Sequence, residues 1–495
     1  MRERLRIGIA FVLIAAALAA VWIPLAPSRL FDFDAANFAL ALDDFNPARH
    51  QPQPPGYPLY VALTRLVHFF EPDVATTFVI TGVIGAAVSV LLLTILGARI
   101  YGLRAGILAG ILLLTNPVLW KAGMTDQVRV YLALISVAVA LMVWNGRSLP
   151  VTAAFLGLLA GFRPEMVISM TPLVFFAEVR RSVKMRQCIA GAAGLALGIG
   201  VWIVPMIWKM GGPHVFWDVT RTYASVQAGG SSLVFGAEVA AAWGMFLYAL
   251  TWAAVSIAAW IWAAPFVRAP IPGAWFLIAW FLPLFFFSIA VHIAAPGHAL
   301  AFIPVLCLLG GMVLSRVRWF VPAAIAACAV NLFLFFRPPV AAIRESSYPW
   351  IQEVAGVNES TLERIDWMVA RHPATLVSYG SKVSWRILLY YYPGTPLLVL
   401  PSERETSSGV GLAWLVKGRR VIQETAPGRP VAMPACEEGA WLLNDNRIRQ
   451  RLLSIPGAED DSYFVFTPVA RGDRFTIGPY QLFAADLPCR GSVLR

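Results

Sequence analysis

Charged residues are scarce in this chain: Asp, Glu, Lys and Arg make up 14% of its 495 residues, against roughly 25% in a soluble domain. Set beside a hydrophobic content of 58%, that shortage excludes an ordinary soluble enzyme. Five cysteines are too few for a disulfide framework. No internal repeat at a fixed period is visible, and neither half mirrors the other, which removes one usual mark of a transporter. Residues 337–495 contain no glycine-rich phosphate fingerprint, so they offer no nucleotide site.

Long uncharged runs are plentiful instead. They recur from Leu5 to Phe336, and many reach the length of about 20 apolar residues that spans a bilayer. The runs delimit spans at 5–26, 75–98, 105–120, 128–145, 150–162, 165–178, 187–208, 237–262, 273–291, 300–315 and 319–336. The two short ones, 150–162 and 165–178, are an angled pair or one interrupted helix. Arg2, Arg4 and Arg6 before an apolar run suggest a signal peptide, but the run continues to Leu25. That is too long for a cleaved signal, so it reads as an uncleaved first transmembrane helix.

The formal net charge of +11 points to no nucleic acid, because the basic residues sit in short clusters between the runs. Arg99 and Arg104, Arg147, Arg180 to Arg186, Arg268, and Arg316 with Arg318 all fall on one side when the N-terminus is cytoplasmic. This is the positive-inside pattern. An odd number of spans then puts 337–495 outside. The expectation is a polytopic α-helical membrane protein of the inner (plasma) membrane, with about 11 transmembrane helices. Residues 1–336 form the transmembrane domain, with outer loops 27–74 and 209–236. Residues 337–495 form a small extracytoplasmic, soluble α/β domain.

In that C-terminal region a helix is expected around Tyr348–Arg371. Strand Ala374–Tyr379, helix Val383–Tyr392 and strand Pro396–Leu400 then follow the spacing of a strand–helix–strand unit. Further strands are expected at Ala413–Val416, Ala440–Leu443, Tyr463–Thr467 and Gln481–Ala484. Cys188, Cys307 and Cys328 lie in or beside spans as small packing residues. Cys436 and Cys489 are positioned for a disulfide if their domain meets an oxidising compartment.

The first outer loop carries the most chemistry. Leu30-Phe31-Asp32-Phe33-Asp34-Ala35-Ala36-Asn37-Phe38 leads to His50-Gln51-Pro52-Gln53-Pro54-Pro55-Gly56-Tyr57-Pro58-Leu59-Tyr60. A carboxylate at the membrane surface, at a helix start, is placed to take a proton from an incoming hydroxyl or amine. Aspartate is also a favoured N-cap, so capping and catalysis both stand for Asp34. The proline-rich run is a rigid turn on its own terms.

An acid after the first span, followed by Pro-Pro-Gly-Tyr-Pro-Leu-Tyr, resembles the GT-C superfamily of membrane glycosyltransferases. The likeness is to the protein O-mannosyltransferase and lipid A aminoarabinose transferase type. It covers residues 1–336 in topology and the first loop in motif. The resemblance implies a catalytic Asp in that loop, here Asp34, and a polyprenyl-phosphate sugar as donor. It places Asp32, His50 and Tyr57 among the substrate-binding residues. Two departures stand out: relatives carry Asp-Glu where this chain has Asp34-Ala35, and His50 is set back from Pro54 by Gln-Pro-Gln.

Other outer residues join the candidate set. Lys121-Ala-Gly-Met-Thr-Asp126-Gln-Val-Arg129-Val-Tyr131 precedes a span. The resemblance matches Asp126 by position, and Arg129 suits a phosphate because guanidinium fits its oxygens. An Asp126–Arg129 pair anchoring a helix end is the plainer alternative. Arg163 and Glu165 interrupt an apolar stretch at Pro164, either as a salt bridge at a helix break or with Arg163 as a second phosphate ligand. His298, with His292 six residues before it, is a substrate-binding candidate but a poor metal site without a nearby Cys or acid. No metal and no cofactor are expected.

The reading is therefore an inverting glycosyl transfer at the outer face, from a polyprenyl-phosphate donor to a glycan, lipid or protein acceptor, with membrane lipid as the remaining partner. Its rivals are a polytopic transporter or lipid flippase, and a catalytically inactive GT-C-like scaffold.

Overall fold

The computed structural model describes residues 2–179, 184–228, 239–267, 270–291 and 295–371, with 232, 234 and 293. Past 371 it describes 375–379, 383–393, 395, 397–400 and, in backbone alone, strand segments between 414 and 485. Helix α1 (Arg2–Leu25) is followed by two short helices, α2 (Phe33–Asp43) and α3 (Pro58–His68), and by α4 (Val74–Tyr101). Next come α5 (Leu103–Leu114), α6 (Pro117–Lys121), α7 (Val130–Trp144), α8 (Leu149–Leu159), α9 (Met166–Val179) and α10 (Met185–Met210). The series continues with α11 (Pro213–Ala228), α12 (Val239–Ala258), α13 (Ala274–Ala290), α14 (Ile303–Ser315) and α15 (Phe320–Phe336).

By length and composition α1, α4, α10 and α12 can each cross a bilayer, and the bent pair of α5 and α6 makes a fifth if counted as one span. Among the described residues α7, α8, α9, α13, α14 and α15 are shorter apolar helices. Large apolar side chains such as Leu13, Leu197, Val201 and Ile325 are exposed on these helices. That is the surface of a protein solvated by lipid rather than water. The chain is a mostly helical, multi-pass membrane protein.

One expected span is corrected. The run 105–120 is not one helix: the chain breaks at Thr115-Asn116 and bends by 51°. Pro117 has no N–H to donate and its ring blocks the preceding turn. Asn116 then caps the new helix, its side chain accepting from Val118 N at 3.0 Å. After Lys121 a π-turn, Ala122–Asp126, and a 3-10 turn, Gln127–Arg129, lead into α7.

Within lipid, helices gain little by hiding apolar surface from one another, so close approach and interhelical hydrogen bonds hold the bundle. A Cβ at Gly106 of α5 would collide with Thr94 O of α4, and one at Gly198 of α10 with Ala154 O of α8. Ser136 Oγ of α7 donates to Ala301 O at 2.7 Å and accepts from Trp280 Nε1 of α13 at 2.8 Å. Asn116 donates to Ser256 Oγ of α12 at 3.1 Å, and Asn331 of α15 donates to Thr115 Oγ1 at 3.0 Å.

The chain divides into two compact units, Met1–Ser28 with Ala41–Glu353, and Arg29–Leu40 with Val354–Arg495. Residues 337–353 therefore go with the first unit, and the segment bearing Asp34 goes with the second. The second unit holds most of α16 (Tyr348–Arg371), then strand β1 (Thr375–Tyr379), α17 (Trp385–Tyr391) and β2 (Leu397–Leu400). Eight more strands follow: β3 (Trp414–Val416), β4 (Arg419–Gln423), β5 (Pro430–Pro434), β6 (Ala440–Leu443), β7 (Glu459–Asp461), β8 (Phe464–Thr467), β9 (Arg474–Ile477) and β10 (Tyr480–Ala485).

Seven strands form one sheet in the order β3-β4-β2-β1-β6-β8-β7, and β5-β10-β9 form another. β1 runs parallel to β2 with Leu376 opposite Leu397, and parallel to β6 with Leu376 opposite Trp441. Strands β4, β5, β7 and β9 have no counterpart among the strands expected from the sequence; β4 and β7 are obscured there by the charge of Arg419-Arg420 and Glu459-Asp460-Asp461. Charge on β7, at one end of the sheet order, suits an edge strand, where it deters pairing with another chain. Cys436 and Cys489 lie outside the described residues.

Candidate functional site

In the second unit, the chain enters α2 at Phe33. Asp32, the residue before it, accepts from Ala35 N through Oδ1 at 2.8 Å, the geometry of an N-cap. The capping reading of Asp34 is thereby corrected: the cap is Asp32. Asp34 stands in the first turn, half-buried, with its charge at the positive end of the helix dipole. Asn37, three residues on and so on the same helix face, is completely buried. Neither its Nδ2 nor its Oδ1 has a hydrogen-bond partner among the described residues. The sequence reading passed over Asn37, although its spacing from Asp34 was visible there.

The far end of α2 is held within the first unit. Arg65 of α3 donates to Ala41 O at 2.7 Å and to Leu42 O at 2.9 Å, satisfying two last-turn carbonyls. Asp43 is the last helical residue. Asp44 pairs with Arg49 at 3.3 Å and Lys209 at 3.5 Å, all well exposed. Such surface pairs contribute about 0–1 kcal/mol.

Also in the first unit, residues 46–57 form a tight loop. Asn46 N donates to Gln51 O at 2.6 Å and Gln51 N to Asn46 O at 3.1 Å, around a 3-10 turn at Pro47–Arg49. His50 ends that turn, and its ring meets Tyr223 of α11 edge-on at 6.0 Å. Gly56 has φ +99°, and a Cβ there would strike Pro47 and Met206. Tyr57 also takes a left-handed backbone, with φ 47°, which costs a residue with a Cβ roughly 1–2 kcal/mol. Strain of this kind concentrates at functional sites.

Leu59 N donates to Gly161 O at 3.0 Å, tying the loop to the turn between α8 and α9. A side chain at 161 would collide with Leu59 Cγ at 2.6 Å. This turn presents Arg163, only 4% exposed, which pairs with Glu165. Its guanidinium lies 5.2 Å from the centre of the Tyr57 ring. The Nε of Arg163 and the Oε1 atoms of buried Gln51 and Gln53 have no hydrogen-bond partner among the described residues. Buried polar groups are nearly always satisfied, so these three atoms offer polar capacity to a ligand. Gln51 and Gln53 entered the sequence reading only as spacers behind His50.

Tyr131 of α7 packs in the same neighbourhood. Its hydroxyl donates to Thr81 O at 2.9 Å, its ring stacks on Phe162 at 4.5 Å, and Tyr60 meets it edge-on at 5.5 Å. Burial holds the Tyr60 hydroxyl well above the usual phenol range. Arg129 opens α7 and lies against the 3-10 turn Pro296–Ala301, where a Cβ on Gly297 would come within 2.6 Å of its Cδ. His298 belongs to that turn, its Nδ1 3.3 Å from both Ala295 N and O.

Tyr57 and Arg163 thus come together, Tyr131 packs on Phe162, the residue before Arg163, and Arg129 lies against Gly297, the residue before His298. His50 faces α11 instead. The side chain of Asp126, and His292, lie outside the described residues.

No family model matches the chain, and no curated protein does. Its fold matches that of ArnT from Cupriavidus metallidurans. Against the crystal structure of ArnT bound to undecaprenyl phosphate the TM-score is 0.61 at 14% identity, over 92% of this chain and 97% of that one. Against the apo crystal structure the TM-score is 0.56 at 15% identity, over the same shares. The likeness is one of fold, over nearly the full length of both chains.

Proposed function

We propose that this chain transfers a sugar from a polyprenyl-phosphate donor to an acceptor at the outer face of the inner membrane, with inversion at the anomeric carbon. The observation that carries the reading is the ArnT fold over nearly the whole chain, in a protein whose first outer loop holds an acid in the opening turn of a short helix. The acceptor hydroxyl or amine attacks the anomeric carbon of the sugar. The bond from that carbon to the phosphate oxygen breaks, and its electron pair leaves on the lipid phosphate. Asp34 takes the proton lost by the acceptor. A phosphate is already a competent leaving group, so the main demand is for cations beside it. Arg163 and Arg129 are the cations proposed for that role, with the Tyr57 ring beside Arg163. The direct test is transfer by purified protein from polyprenyl-phosphate sugars presented in detergent or liposomes. Failure with every such donor, by protein that still binds undecaprenyl phosphate, would reduce the chain to a lipid-binding scaffold.

The reading carries a topology of eleven spans, α1, α4, α5, α7 to α10 and α12 to α15, with α2, α3 and α11 lying at the outer interface. The soluble α/β domain is then extracytoplasmic. An alkaline phosphatase fused after Arg495 is expected to be active and a green fluorescent protein there dark; the opposite pair of results would overturn the orientation.

Asn37 is assigned to substrate on the same reading. A buried amide without partners destabilises a fold by about 1–3 kcal/mol, so Asn37→Leu is expected to keep or raise thermal stability. The same change is expected to lower kcat at least about tenfold. Unchanged kcat would show that Asn37 only packs.

A further inference from the structure

The segment that delivers Asp34 has little structure of its own. Between the end of α1 and the start of α2 the backbone is irregular, and Leu30 and Phe31 are buried. Their backbone groups therefore need partners, since an unpaired buried N–H or C=O is costly. The partners come from the C-terminal part of the same compact unit. Asn358 of α16, itself buried, donates through Nδ2 to Leu30 O at 3.0 Å and to Phe31 O at 2.8 Å. Both hydrogens of the amide are used. Leu30 N donates to the hydroxyl of Tyr391 at the end of α17, at 3.0 Å.

Aromatic contacts continue the attachment on both sides. The Arg29 guanidinium lies 5.2 Å from the centre of the Tyr391 ring. Phe33 meets Trp385 edge-on at 6.3 Å, and the Arg386 guanidinium lies beside both rings, 4.5 Å from the centre of Trp385 and 5.6 Å from that of Phe33. Arg386 is completely buried, and desolvation lowers its pKa from the usual guanidinium value. Residues 29, 30, 31 and 33 are all gripped, and the next residue is Asp34.

We propose that Asn358 and Tyr391 are positioning residues for Asp34, so that the C-terminal domain acts as part of the catalytic unit by clamping the backbone that leads into the acid-bearing helix. The inference rests on Asp34 being the base. A base displaced by about 1 Å can lose a hundredfold in rate while substrate binding elsewhere is intact. The clamp therefore governs kcat rather than KM.

The test uses full-length protein in detergent, with Asn358→Ala and Tyr391→Phe compared with wild type. A control, Thr361→Val, removes a hydroxyl whose bond among the described residues stays within α16, to Val357 O at 2.7 Å. Two measurements are made: amide hydrogen exchange over residues 29–36, and sugar transfer. Each clamp variant is expected to speed exchange at Leu30 and its neighbours at least about tenfold and to lower kcat about 10- to 100-fold, with KM for the lipid donor within about twofold. Thr361→Val should leave both readings at wild-type values. Unchanged exchange in the clamp variants would overturn the inference whatever the activity, and so would faster exchange with wild-type kcat. Full activity in Asp34→Asn would instead sink the base itself, which the exchange data do not depend on.

Discussion

Asp34→Asn is expected to lower kcat roughly 10²–10⁴-fold, about 3–5 kcal/mol of transition-state stabilisation, while the protein folds as before. Asparagine keeps the size and shape of the side chain and removes the proton acceptor. The helix cap is untouched, because Asp32 supplies it through the bond to Ala35 N. Asp32→Asn should in turn be close to neutral for stability, since Asn caps about as well as Asp, whereas Asp32→Ala should cost about 1 kcal/mol. Asp43→Asn and Asp44→Asn should leave kcat within about twofold, because Asp43 ends α2 and Asp44 sits in exposed ion pairs that carry little energy. Purified Asp34→Asn that transfers sugar at the wild-type rate would end the mechanism.

The second large effect concerns Arg163. Arg163→Gln alone is ambiguous, because it strands Glu165 next to a half-buried turn. The informative variant is Arg163→Gln combined with Glu165→Gln, which removes the ion pair as a unit. If the guanidinium binds the donor phosphate, the double variant regains thermal stability but stays about 10- to 100-fold down in kcat/KM for the lipid donor. A hydrogen bond to a charged group is worth about 1.5–3 kcal/mol. Arg163→Lys should fall between, keeping the charge and losing the planar fork that fits phosphate oxygens. Recovery of activity in the double variant would mean that Arg163 only fastens the break between α8 and α9.

These two candidates show how differently a proposed site is written into a sequence. Asp34 was legible because it follows the first apolar run directly and opens a short amphipathic stretch. Arg163 was legible because charge stands out within Leu-Ala-Gly-Phe-Arg-Pro-Glu. Its two possible roles stayed open, since the ion pair to Glu165 and the approach to Tyr57 depend on a turn whose geometry follows from the Leu59–Gly161 hydrogen bond. Gln51, Gln53 and Asn37 were invisible as candidates. Neutral amides are common in loops, and what sets these three apart is buried side-chain atoms without a hydrogen-bond partner among the described residues.

Apolar runs sufficed to mark a mostly helical, multi-pass membrane protein, and the Pro-Pro-Gly-Tyr-Pro segment after an acid pointed to the fold that ArnT shares. Hydrophobicity and charge act residue by residue along a bilayer normal, so a linear reading captures them. Where capping falls, and what satisfies the backbone before α2, lay beyond such a reading. Asp32 and Asp34 are equally good caps on composition, and the choice turns on which residue the helix geometry leaves outside its first turn. The partner of Leu30 N is 361 residues away at Tyr391, and those of Leu30 O and Phe31 O meet at Asn358. Hydrogen bonds need partners within about 3 Å in defined directions, and no local pattern says which distant amide or hydroxyl will arrive there.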